Sequence, residues 1–209
     1  MKIEPKDLTR EKTLLSLYVL SFKFPGSWFN RVLTLVALLC AAFWCWHTRS
    51  DPGKIFSHFR KVVDADFAFA TSILGFLVAG FTVFVTITKV DIFVEMAKQE
   101  YENTGESYLK YNLNAFVLTF VHYIAFLFFC LCIQLFGQPG GLAAYLLERI
   151  AEEWFYSKSN VRALVASVLL TFITAWSVYV VLLLKSFIYN TYQVVTTVVR
   201  WELEKPPER

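Results

Sequence analysis

Charge is scarce in this chain: only 18% of its 209 residues are Asp, Glu, Lys or Arg, where a soluble domain carries about a quarter. Its long apolar runs hold none of these residues except at their edges. That argues against an ion-coupled carrier, which needs buried ionisable groups or broken helices in repeated halves. No internal repeat is present either. There is no C-x-x-C pair and no histidine cluster, so no metal site is expected. A nucleophile elbow, a phosphate loop and a zinc-binding helix are all missing, so neither catalysis nor a cofactor is expected. The net charge of +3 is too small for direct nucleic-acid binding. Cys40, Cys45, Cys130 and Cys132 all lie in apolar runs and read as small buried hydrophobes.

What remains is hydrophobic. Apolar residues make up 56% of the chain, the mean hydropathy is +0.49, and 21 Phe against 8 Gly mean that packing relies on aromatics. Four runs, 29–46, 67–88, 113–136 and 163–184, each predict a membrane-spanning helix. The second, of 22 residues, would rise about 33 Å as a helix, close to the thickness of a hydrocarbon core. Residues 1–28 read as a cytoplasmic or interfacial segment without a cleavage site, with Leu8, Leu14, Leu15, Tyr18 and Phe22 lining a short amphipathic helix. Residues 29–190 form the four-span domain, and 191–209 a C-terminal helical extension and tail. The expected fold is all-α: a four-helix transmembrane bundle, helices 2, 3 and 4 extended into the cytoplasm, and amphipathic surface helices, one over 142–156.

Within the second run, Ala68, Ser72, Gly75, Ala79, Thr82 and Thr86 follow at steps of 4, 3, 4, 3 and 4. Small residues let membrane helices approach closely, so this seam is read as a packing or oligomer face. Lining of a pore by its hydroxyls is the other reading. Asp64 and Asp66 fall just before the run and are read as favourable charge at a helix N-terminus. The helix is expected to continue past the membrane to Asn103 and return at 106–112, as one projecting hairpin with Glu106 and Lys110 paired. Asn112, Thr119 and His122 share a face of the third run, and Ser167, Thr171, Thr174 and Ser177 one of the fourth. His122 is the single ionisable side chain expected well inside a span, either a hydrogen-bonded neutral imidazole or a sensing group.

Lys and Arg set orientation. With the N-terminus inside, 13 fall on the inner side and 7 on the outer. Both termini are therefore expected in the cytoplasm of a bacterial inner-membrane protein. Glu95, Glu100, Glu102 and Glu106 at the hairpin tip, with Tyr189, Tyr192, Arg200 and Trp201 on the fourth helix, are candidates for docking a soluble partner. A homo-oligomer in contact with membrane lipids is the simplest assembly.

The size, the four spans, the LGFLVAGFTVFVT core at 74–86 and the extended helices resemble the KwaA membrane subunits of bacterial Kiwa anti-phage systems. That resemblance implies an oligomeric sensor of phage attack, favours a tetramer, and implies a KwaB-like cytoplasmic effector. It carries no catalytic residues. A pore-forming or depolarising effector, and a small transporter or lipid-handling protein, are the alternatives.

Overall fold

The computed structural model describes residues 8–21, 24, 26–101, 104–154 and 158–204. Among these it is all α-helical: α1 (Leu14–Leu20), α2 (Trp28–His47), α3 (Pro52–Ile87), α4 (Val90–Lys98), α5 (Tyr108–Phe136), α6 (Leu142–Trp154) and α7 (Lys158–Glu204). Helices α2, α3, α5 and α7 are each long and apolar enough to cross a membrane. The chain is thus an integral membrane protein, with no strand beyond an isolated bridge in the described residues.

α3 departs most from expectation. It starts at Pro52, not near Phe67. The Asp51 carboxylate accepts from the Lys54 amide at 3.0 Å, and Pro52 takes the first helical position, where its missing N–H costs nothing. From there Ile55, Phe59, Val63 and Ala70 form a buried stripe that draws the supposed loop into the helix. Its far end also differs, because α3 and α4 are separate helices. The Phe84 carbonyl takes both the amide and the hydroxyl of Thr88, at 3.3 and 2.8 Å, and Lys89 then turns extended. After α4, Glu100 and Ser107 form an antiparallel bridge, closed by a turn in which Gly105 has φ 74°. The projecting two-helix hairpin is therefore replaced by a short helix and a tight turn. α7 agrees better: it is one helix of 47 residues, about 70 Å long.

Contacts divide the described residues into two compact units. The first draws on Met1–Gly26, Leu74–His122 and Leu183–Arg209, the second on Ser27–Ile73 and Tyr123–Leu182. Helices α3, α5 and α7 contribute to both.

In the first unit, Phe84, Phe116 and Phe187 are buried and stack edge-on or tilted, with Phe81, Phe93 and Phe120 around them. A Cβ on Gly80 would stand 3.2 Å from the Phe187 ring, so Gly80 marks the close approach of α3 to α7. The N-terminal segment is held by charge. Lys110 Nζ lies 2.7 Å from Glu11 and 3.3 Å from Glu106, and Arg10 lies 2.7 Å from Glu106. The expected Glu106–Lys110 pair thus exists, but buried. On α1, Leu20 is buried, Tyr18 is half-buried, and Leu14 and Leu15 are exposed; Phe22 lies outside the described residues.

In the second unit, α2 buries only Asn30 and Cys45 and exposes Leu35, Leu39, Phe43 and Trp46 among others. Such a surface is stable against lipid tails and not against water. An Arg162–Glu148 ion pair ties α6 to the start of α7.

The ion cluster generates the first prediction. Burial alone would raise the Glu11 carboxyl, but the Lys110 hydrogen bond, a backbone hydrogen bond and the charges of Lys110 and Arg10 outweigh it and hold the group below its usual range. The Arg10 guanidinium is raised by its hydrogen bond to and the charge of Glu106, and so stays charged throughout. A carboxyl lowered on folding stabilises fully above its unfolded value, and that stabilisation is lost as pH falls through the folded value. The protection factors of the α1 amides, exchange rates corrected for their intrinsic pH dependence, should therefore be flat above about pH 5 and fall below it. Lys110→Met leaves two buried carboxylates facing one half-exposed guanidinium and should destabilise this unit by about 3 kcal/mol, read by the same exchange measurement at neutral pH.

Candidate functional site

Because α3 begins at Pro52, Asp66 stands fourteen residues into a helix and not at its N-terminus. Its surroundings are apolar. Ser177 Oγ of α7 donates to Asp66 Oδ1 at 2.8 Å. Oδ2 is shut off from solvent and has no hydrogen-bond partner. Cys130 of α5 is fully buried. Beside Ser177, the Trp176 ring packs on Phe126, Phe129 and Phe172, with centroids 5.3–5.6 Å away.

The depth of this carboxylate follows from contacts along α7, all within the second unit. At one end of α2, Asn30 Nδ2 donates to the Leu182 carbonyl at 3.5 Å. Near its other end, the Cys45 thiol donates to the Ser167 carbonyl and accepts from the Thr171 hydroxyl, at 3.7 and 3.8 Å. Ser177 lies between those levels, about 8 Å of helical rise from Leu182 and about 9 Å from Thr171. Asp66 therefore sits near mid-height of the shortest candidate span. A charged Asp at the centre of a membrane helix costs about 3 kcal/mol on insertion scales. A cavity of about 310 Å³ begins one turn away, walled by Phe59, Val63, Asp64, Gln134 and Gln138 among others. Gln134 Nε2 donates to Asp64 Oδ1 there at 2.9 Å.

The residues singled out from sequence scatter more widely. The seam Ala68, Ser72, Gly75, Ala79, Thr82 and Thr86 is exposed along its whole length. A Cβ on Gly75 would meet nothing within 4 Å. The intrachain face of α3 is instead the bulky set ending in Leu77 and Phe84. The hydroxyls of Ser72, Thr82 and Thr86 bond to carbonyls four residues back, so they face an apolar medium without penalty. Asn112 and Thr119 are buried and likewise bond back, to Tyr108 and Ala115. Ser167 bonds back to Ala163 while its carbonyl meets Cys45, and Thr174 is half-buried. His122 is half-buried with its ring 5.8 Å from Tyr18, beside the N-terminal segment.

Of the docking candidates, Glu106 is withdrawn: it is 3% exposed and committed to Arg10 and Lys110. Glu100 caps the Gly105 amide at 2.9 Å, and Glu95 pairs with Lys98 at the surface. Glu102 lies outside the described residues. Tyr189, Tyr192 and Arg200 are exposed, and Trp201 is half-buried.

Asp66 is the residue that sequence reasoning missed. The signal was present: Asp51-Pro52 as a helix start, and Ile55, Phe59, Val63, Asp66 and Ala70 at steps of 4, 4, 3 and 4. Comparison with protein-family models, with curated proteins and with solved structures finds no match to this chain.

Hydroxyls along the helices differ in what they hold. Tyr123 is fully buried, and its hydroxyl donates to the Val180 carbonyl at 3.0 Å, tying α5 to α7. Tyr123→Phe should cost about 1 kcal/mol in reversible detergent unfolding. Thr82→Val, which removes an exposed hydroxyl bonded to its own helix, should change stability by less than about 0.5 kcal/mol.

Proposed function

We propose that this chain is an oligomeric sensor or scaffold subunit, coupling an event in the membrane to a soluble partner at its cytoplasmic face. The observation that carries this reading is on α7. Its length of about 70 Å is more than twice the hydrocarbon thickness of about 30 Å. Beyond Leu184 the helix bears two apolar stripes. Phe187, Val194 and Val198 are buried in the first unit. Ile188, Tyr192, Val199 and Leu203, at steps of 4, 7 and 4, are exposed on another side. Lys185, Asn190, Gln193 and Arg200 are interspersed, as suits a surface that meets protein and not lipid tails. The exposed seam on α3 is a second face, small enough for close approach of another copy.

The likeness to Kiwa membrane subunits gives this reading a specific form, in which phage attack is the signal and a KwaB-like effector the partner. The orientation expected from Lys and Arg puts both termini in the cytoplasm. The pore reading draws less support, because the seam lies on a regular helix and carries no charged side chain, whereas rings of charge or of backbone carbonyls are the usual selectivity devices.

Substitution serves better than truncation here, since trimming from residue 190 would remove the buried Val194 and Val198. Tyr192→Glu with Val199→Glu should abolish co-purification of a soluble partner encoded beside this protein and leave the melting temperature unchanged. Gly75→Ile meets open space in the single chain, so it should leave the fold intact and lower the subunit number in native mass spectrometry from nanodiscs. Unchanged partner recovery and unchanged subunit number would contradict the proposal.

A further inference from the structure

Asp66 combines three observations that together specify a ligand. It sits level with the middle of α2, one of its oxygens accepts a single hydrogen bond from Ser177, and the other is enclosed without any partner. An ionised carboxylate in that position would need a cation or several donors. The nearest cations along α3, Arg60 and Lys61, are exposed and stand six and five residues back, Arg60 on the cavity wall, and the bond to Asp66 comes from Ser177 alone. There is no Lys or Arg in α2 between Arg31 and His47, in α3 after Lys61, in α5 after Lys110, or in α7 between Arg162 and Lys185. Of the titratable groups, the Cys130 thiol on α5 interacts with Asp66, and Asp64 stands two residues earlier on α3 with its Oδ1 taken by Gln134. Cys130 and Asp64 add no positive charge. One carboxylate and one hydroxyl are too few ligands for a metal ion, and the described residues hold no cluster that could bind one.

We infer that Asp66 is a proton-binding site, carrying its proton on Oδ2 in the packed state while Ser177 donates to Oδ1. Uptake is a simple association, carboxylate plus proton giving the neutral acid, with water as the proton source. The cavity walled by Val63, Gln134 and Gln138 brings the surface to within one helical turn of the acid, because Val63 precedes Asp66 by three residues. Loss of the proton leaves a bare charge between α3, α5 and α7, which favours a looser packing of those helices. As the trigger of a sensor this rests on the function proposed above; as a proton site it does not.

The test is infrared spectroscopy of the full-length protein in lipid nanodiscs, titrated from about pH 5 to about pH 9. Wild type should show the C=O band of a protonated carboxylic acid at neutral pH. Asp66→Asn, the neutral isostere, should lose that band, and Ser177→Ala should shift its frequency by removing the hydrogen bond. A wild-type spectrum with no protonated acid at neutral pH overturns the inference whichever variants fold. So does a band that survives in folded Asp66→Asn, or one that Ser177→Ala leaves unmoved. Subunit number and partner binding play no part in the readout, so its failure and that of the proposed function are separable.

Discussion

The hydrogen bond from Ser177 to Asp66 organises the second unit, because it joins an acid level with the middle of α2, one of its oxygens enclosed, to the longest helix of the described residues. Everything else in that unit is arranged so that polarity is confined to a few helix-to-helix contacts. Asn30, Cys45 and Tyr123 each reach a backbone carbonyl of α7 or, for Cys45, a carbonyl and a hydroxyl. The hydroxyls of Thr71, Ser72 and Ser167 fold back on their own helices, while that of Thr34 on α2 is buried without a partner. Lipid offers no hydrogen bonds, so a polar group in a span must find its partner within the protein. The helices meet that requirement locally for Thr71, Ser72 and Ser167 and across a helix pair for Asn30, Thr171, Ser177 and Tyr123; Thr34 Oγ1 and Asp66 Oδ2 are left without a partner.

The first unit solves a different problem. It holds pieces that are too charged to cross a membrane, and it fastens them with a cluster in which the buried side chains of Glu11, Glu106 and Lys110 meet the half-exposed Arg10, beside an aromatic core. Removal of any one member unbalances the rest. Tyr101 and Tyr111 stack at 3.9 Å next to that cluster and fix the turn between α4 and α5 against the start of α5. The exposed residues that remain on α7 are then presented from a rigid support.

Much of the architecture was legible in the sequence, and the failures have physical causes. Hydropathy located the four long helices because a hydrocarbon core demands uninterrupted apolar length. It misplaced the start of α3, since charge in 54–66 was weighed above the apolar stripe at helical spacing and above Asp51-Pro52 as a start signal. That one error moved Asp66 from the middle of a helix to its end and hid the candidate site. It overextended α3 at the other end, where the helix stops at Ile87 and Lys89 turns extended without a Gly or Pro to mark the break. The small seam was recognised correctly as a pattern, but periodicity cannot say whether a face meets the same chain or something else. Gly80, outside that seam, is the glycine that packs within the chain.

The central claim is that Asp66 lies within the hydrocarbon core. Ala65, its neighbour on α3, is exposed on the outside of the chain and so reports the same depth. A nitroxide at Ala65→Cys, in protein lacking its four native cysteines and reconstituted in lipid, can be compared for collision with oxygen and with a water-soluble nickel chelate. The account predicts strong relaxation by oxygen and almost none by nickel, as in the middle of a bilayer. Strong relaxation by nickel at that position would place Asp66 in water and contradict it.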